Sequence, residues 1–121
     1  MTPPAALWSD LQRLVADHPL VIDRAAGSTH PDHDGIVYPL DYGYLEGTVS
    51  ADGAGLDVWR GTGDPASLDA VAVTYDPYKR DVEVKLLVGC TPAEVDLIAA
   101  FWTRHEMTHA FVPAPVREGA R

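Results

Sequence analysis

Leu7, Leu11, Leu14 and Val15 recur at the spacing of one helical face, between Thr2-Pro3-Pro4 and the interruption at His18-Pro19. Proline fits a helix start and restricts the residue before it, so this stretch predicts one short amphipathic helix. Further along, Thr91-Pro92-Ala93-Glu94 offers a capping hydroxyl, a first-turn proline and a carboxylate placed to close a capping box. Val95, Leu97, Ile98, Phe101 and Trp102 follow, and a second helix is predicted over 92–109. Between the helices the pattern changes to short apolar runs bounded by Gly, Pro, Asp and Ser: Leu20–Ile22, Ile36–Val37, Tyr44–Val49, Leu56–Trp59, Ala70–Tyr75 and Val82–Val88. Runs of that length with turn residues between them read as strands. With no helix interleaved, they predict a mainly β, α+β domain: a small closed barrel of five to six strands, antiparallel or mixed, with an N-terminal and a C-terminal helix. One domain is expected over residues 1–121, with 113–121 a loosely held tail.

Composition narrows the partners. Of 121 residues, 46% are hydrophobic and 22% charged, enough to bury a core. The 18 Asp and Glu against 9 Lys and Arg give a net charge of -9, which repels phosphate backbones and anionic lipid and so argues against nucleic acid and membrane as partners. Cys90 is the single cysteine, which excludes an internal disulfide and a cysteine-based zinc knuckle; a small buried side chain is expected. No apolar run is long enough to span a bilayer and Met1-Thr2-Pro3-Pro4 lacks a secretory pattern, so a cytoplasmic location is expected. Trp8, Trp59 and Trp102, if exposed, would favour a homo-oligomer; each suits a core equally well.

The acidic residues are unevenly placed. Asp52 and Asp57 flank Gly53-Ala54-Gly55-Leu56, and Asp76 and Asp81 flank Pro77-Tyr78-Lys79-Arg80. Both pairs put one carboxylate at a turn and one at the start of a strand. Four carboxylates meeting at one end of the barrel would require cations, and an all-oxygen set favours Mg²⁺ or Mn²⁺. Asp beside Gly or Pro also bonds its own backbone in ordinary turns, and spacing does not choose between these readings.

Tyr38-Pro39-Leu40-Asp41-Tyr42-Gly43-Tyr44 and Ser50-Ala51-Asp52-Gly53-Ala54-Gly55-Leu56-Asp57-Val58 resemble, in order and separation, two motifs of the soluble family I inorganic pyrophosphatases, Y-P-x-N-Y-G-Y and D-G-D-P-x-D-V. Asp76 and Asp81 resemble that family's second acidic pair. The likeness runs over roughly residues 20–105. It implies a small OB-like barrel and Mg²⁺-dependent hydrolysis of pyrophosphate, or of a related small phosphorylated compound, by metal-activated water. On that resemblance Asp52, Asp57, Asp76 and Asp81 are metal ligands, Asp57 belongs to the catalytic group, and Tyr42 donates a hydrogen bond to phosphate.

The chain also departs from the pattern. The motif aspartate that contacts the attacking water is Ala54, and a methyl group neither binds metal nor accepts a proton. The phosphate-binding lysine two residues after the last aspartate is Glu83; strand alternation puts Asp81, Glu83 and Lys85 on one face. Lys85, Lys79, Arg80 and Arg24 are therefore the candidate substrate cations. His30, in the polar run Asp23–Asp34, is a candidate general base in place of the missing carboxylate. His105 and His109, four apart, would share a face of the second helix as a weak metal signal. The alternative to hydrolysis is a pyrophosphatase-fold protein that has lost pyrophosphate cleavage and binds metal or ligand, or acts on another substrate.

Overall fold

The computed structural model describes residues 4–115. Helix α1 (Pro4–Asp17) leads into strand β1 (Leu20–Arg24), a short hairpin of β2 (Thr29–His30) and β3 (His33–Val37), then β4 (Asp41–Leu45), β5 (Leu56–Arg60), β6 (Leu68–Asp76) and β7 (Asp81–Val88). Helix α2 (Pro92–Arg104) and strand β8 (Thr108–Pro113) complete the order. Six strands form one sheet in the order β1-β4-β5-β7-β6-β8, and β2 pairs with β3 in a separate two-stranded sheet. All pairings in the sheet are antiparallel except β5 with β7, because β6 lies beyond β7 and the chain returns to insert β7 between them.

Alternation along the central strands sorts the core onto two faces. Val58, Leu86 and Val88 join Leu45 and Leu68 on one face, where Trp8, Leu11, Leu14 and Val15 of α1 cover them. Trp59 and Leu87, the intervening residues, join Tyr38, Ala70 and Ala72 on the other, under Ile98 and Trp102 of α2. Burying a side chain such as Trp59 or Leu87 contributes about 1.5–3 kcal/mol, so the two helices bind the sheet chiefly by hydrophobic burial.

The structure corrects several expectations. The sheet is mixed, as the sequence allows, but among the described residues no closed barrel forms: β1 and β8 are edges with one neighbour each, and the strands number eight. The second helix ends at Arg104 rather than 109, because Glu106 takes a left-handed conformation (φ 64°). Met107 N then donates to Trp102 O and Glu106 N to Thr103 O, the paired bonds of a Schellman stop. His109 consequently lies on β8, so His105 and His109 share no helix face. The polar run Asp23–Asp34 contributes the end of β1, all of β2 and the start of β3. The strand expected over Tyr44–Val49 is β4, which starts at Asp41 and stops at Leu45. Pro113 ends β8 and Ala114 N donates to Asp69 O, so the expected loose tail does not hold for these two residues; 116–121 fall outside the described residues, as do Met1, Thr2 and Pro3. Trp59 and Trp102 are core and Trp8 of α1 packs onto the sheet, which removes the tryptophan argument for self-association. Among the described residues no helix is long and apolar enough to cross a membrane.

Candidate functional site

The α2 side of the sheet is apolar only where α2 covers it. One alternation step beyond Trp59 and Leu87 stand Asp57 and Lys85, which the parallel pairing of β5 and β7 places directly opposite each other. Lys85 is 6% exposed, and its Nζ lies 2.7 Å from Asp57 Oδ2, 2.8 Å from Tyr42 Oη and 3.4 Å from Glu83 Oε1. A buried ammonium needs such acceptors, because without them its desolvation is uncompensated. Burial, with the Asp57 carboxylate next in weight, pushes the Tyr42 hydroxyl far above its ordinary range, so it remains a neutral phenol.

Beyond this group the same face carries further polar atoms. Asp81 has a buried Oδ1 with no hydrogen-bond partner among the described residues. Thr74 stands opposite Glu83 in the register, is 1% exposed, and its Oγ1 is likewise unpartnered. Thr74 was not among the sequence candidates; its place two residues before Asp76, on the strand that turns into Asp81, was the available signal.

On the β4 side, Arg24 stands opposite Tyr42, with its guanidinium 5.7 Å from the centre of the Tyr38 ring and a buried Nη1 that has no partner among the described residues. Tyr38 stacks on His30 in turn, at 6.5 Å between ring centres. Burial, then the Arg24 guanidinium, lower the His30 pKa, with Asp32 acting in the opposite direction. His30 Nδ1 accepts the Asp32 N–H at 3.0 Å, which leaves the proton of the neutral ring on Nε2. In that tautomer His30 is a donor, suited to holding an anion, and does not match the expected general base.

The four aspartates do not gather as a set. Asp52 is exposed and spends Oδ1 on its own turn, accepting from Ser50 Oγ at 2.5 Å and Ala54 N at 2.9 Å; these bonds hold its pKa below the usual range. Asp76 Oδ1 accepts from Tyr78 N and Lys79 N in the β6–β7 turn. Asp57 is paired with Lys85. Among the described residues no group of three or more His, Cys, Asp or Glu side chains is placed to hold a metal ion. The donors therefore do not fit the Mg²⁺ or Mn²⁺ centre that the motifs imply. Lys79 and Arg80 are exposed in the β6–β7 turn, where Arg80 has a left-handed backbone (φ 56°). The turn is tied across to the end of α2 by a Tyr78 hydroxyl bond to Glu106.

No family model matches the chain, and no curated protein does. Solved structures do. An inorganic phosphatase from Anaplasma phagocytophilum matches with a TM-score of 0.51 and 14% identity, over 78% of this chain and 81% of that one. An inorganic pyrophosphatase from Helicobacter pylori matches with a TM-score of 0.50 and 16% identity, over 80% and 75%. The chain thus has a pyrophosphatase-like fold; at this identity the likeness speaks for the fold alone.

Proposed function

We propose that the chain takes a small phosphorylated compound, pyrophosphate or a relative, at this corner of the sheet and hydrolyses its phosphoanhydride bond. Arg24 carries the reading: a buried guanidinium N–H without an acceptor among the described residues, opposite Tyr42 and against the Tyr38 ring that stacks on His30, is a donor for phosphate oxygens. Arg24 and His30 Nε2–H would bind one phosphoryl group, and Lys79 and Arg80 would screen the charge of the next. Tyr42, held neutral, would orient the ligand as a hydrogen-bond donor. The pyrophosphatase-like fold supports the reaction class. Because the carboxylates do not fit a metal centre, no hydrolytic step is assigned to Mg²⁺.

A second reading, binding of such a compound without cleavage of pyrophosphate, is favoured by Ala54 and by the engagement of Asp57 with Lys85. Phosphate release from pyrophosphate and a panel of small phosphoesters, with Mg²⁺ and with a chelator, separates the two when run beside calorimetric binding. Release from at least one compound is expected, with Arg24→Gln weakening binding roughly tenfold through a lost charge-assisted hydrogen bond. Binding without release selects the second reading. Folded protein that neither binds nor cleaves any of them overturns both.

A further inference from the structure

The disagreement between the aspartate pattern and the observed geometry centres on one atom. Lys85 Nζ touches three oxygens, Asp57 Oδ2 at 2.7 Å, Tyr42 Oη at 2.8 Å and Glu83 Oε1 at 3.4 Å, as a bound cation would. Its side chain is 8% exposed, against 29% for Asp57 and 28% for Glu83, so the ammonium is the innermost charge of the cluster. Asp81 Oδ1 and Thr74 Oγ1 are buried and have no hydrogen-bond partner among the described residues, on the same face.

We propose that the Lys85 ammonium is a tethered cation that occupies the position of a divalent ion and keeps the native chain from loading one there. Asp57 and Glu83 bring two negative charges to the ammonium and Lys85 returns one positive charge. A free Mg²⁺ must lose water, break a short ion pair whose ammonium is buried, and leave that ammonium without its partner, whereas the tethered ion is already in place. The strand register sets this up. A lysine at position 83 would point to the rim of the same face, but one at 85 stands directly opposite Asp57 on the parallel neighbour. The glutamate at 83 then adds a third oxygen to the shell. This inference rests on the reading of the face as a ligand site, and not on catalysis.

Mn²⁺ alone is the probe, read by the electron paramagnetic resonance of the free ion and by paramagnetic broadening of Tyr42 and Lys85 side-chain resonances. The native chain is expected to show no saturable uptake and no selective broadening at millimolar Mn²⁺. Removing the ammonium with Lys85→Met should strengthen Mn²⁺ binding by roughly tenfold or more, since the carboxylates of Asp57 and Glu83 lose their counter-ion. The added change Asp57→Asn should abolish that gain, and Lys85→Arg should behave as native. Saturable uptake by the native chain that broadens Tyr42 and is lost in Asp57→Asn overturns the proposal, and this arm requires no folding of a lysine variant. A folded Lys85→Met that binds Mn²⁺ no more tightly than native also overturns it. Absence of phosphate release, by contrast, bears on the proposed reaction and leaves the Mn²⁺ result standing.

Discussion

Gly43 shows what a single residue decides in this site. A Cβ built there would lie 1.8 Å from Val21 O and 2.9 Å from Ile22 Cα, so β1 and β4 can approach only because the side chain is missing. Its neighbours, Tyr42 and Tyr44, stand opposite Trp59 and Asp57 in the sheet. Gly43→Ala is expected to cost at least ~2 kcal/mol by forcing strands apart, read as a lower urea midpoint, and to weaken ligand binding with it because Arg24 stands opposite Tyr42 on those strands. At this scale the sequence was informative where a side chain's neighbour is fixed by alternation. Asp57, Tyr42 and Lys85 were all candidates and are in contact. It was least informative for Asp52 and Asp76, whose oxygens are claimed by their own turns, a local hydrogen bond that competes with any shared ligand. His30 illustrates the same limit: its role changes with a single backbone N–H at Asp32, which spacing does not reveal.

The start of α2 was legible because every group in it is local. Thr91 accepts from Glu94 N and Glu94 accepts from Thr91 N, the reciprocal pair expected from Thr91-Pro92-Ala93-Glu94. The fold gives Glu94 a distant partner as well. It is 7% exposed and its carboxylate also accepts from Thr62 N, binding the β5–β6 connection to the helix. These bonds, the Thr91 N–H first, hold its pKa below the usual 4.5. A depressed carboxylate stabilises the fold at pH above 4.5 and loses that contribution as pH falls through the folded value. Glu94→Ala is therefore expected to cost roughly 1–3 kcal/mol near neutral pH by leaving two amides unpaired. In urea titrations the gap between variant and native should narrow as the pH is lowered into the acid range. The end of α2 was not legible, because Phe101 and Trp102 continue a helical pattern and the stop depends on a left-handed Glu106, a residue type with no preference for it. Once the helix ends there, Thr108–Pro113 is free to become a sixth strand of the sheet, beside β6.

For the whole molecule, Cys90 reports on integrity. Its thiol lies in the α2-side core, donates weakly toward Trp59 O and Val88 O, and is pushed by burial up to about 12. In the native chain it should resist disulfide-exchange reagents at mildly alkaline pH and react only on unfolding, so labelling against urea should follow the global transition measured by circular dichroism. Rapid labelling of native protein would show that this core opens locally.

Short apolar runs, a capping box and paired tyrosine and aspartate motifs determined a β-rich fold flanked by helices and most of the residues of the candidate site, because periodicity and local hydrogen bonding are properties of neighbouring positions. Whether those residues cooperate was decided by the sheet order. Inserting β7 between β5 and β6 sets Lys85 against Asp57, leaves the edges β1 and β8 apart, and gives the carboxylates a buried ammonium for a partner. Pairings across long sequence separations carry no local signature, so only the folded sheet could show that the acidic pattern ends in a lysine rather than in an arrangement fit for a metal.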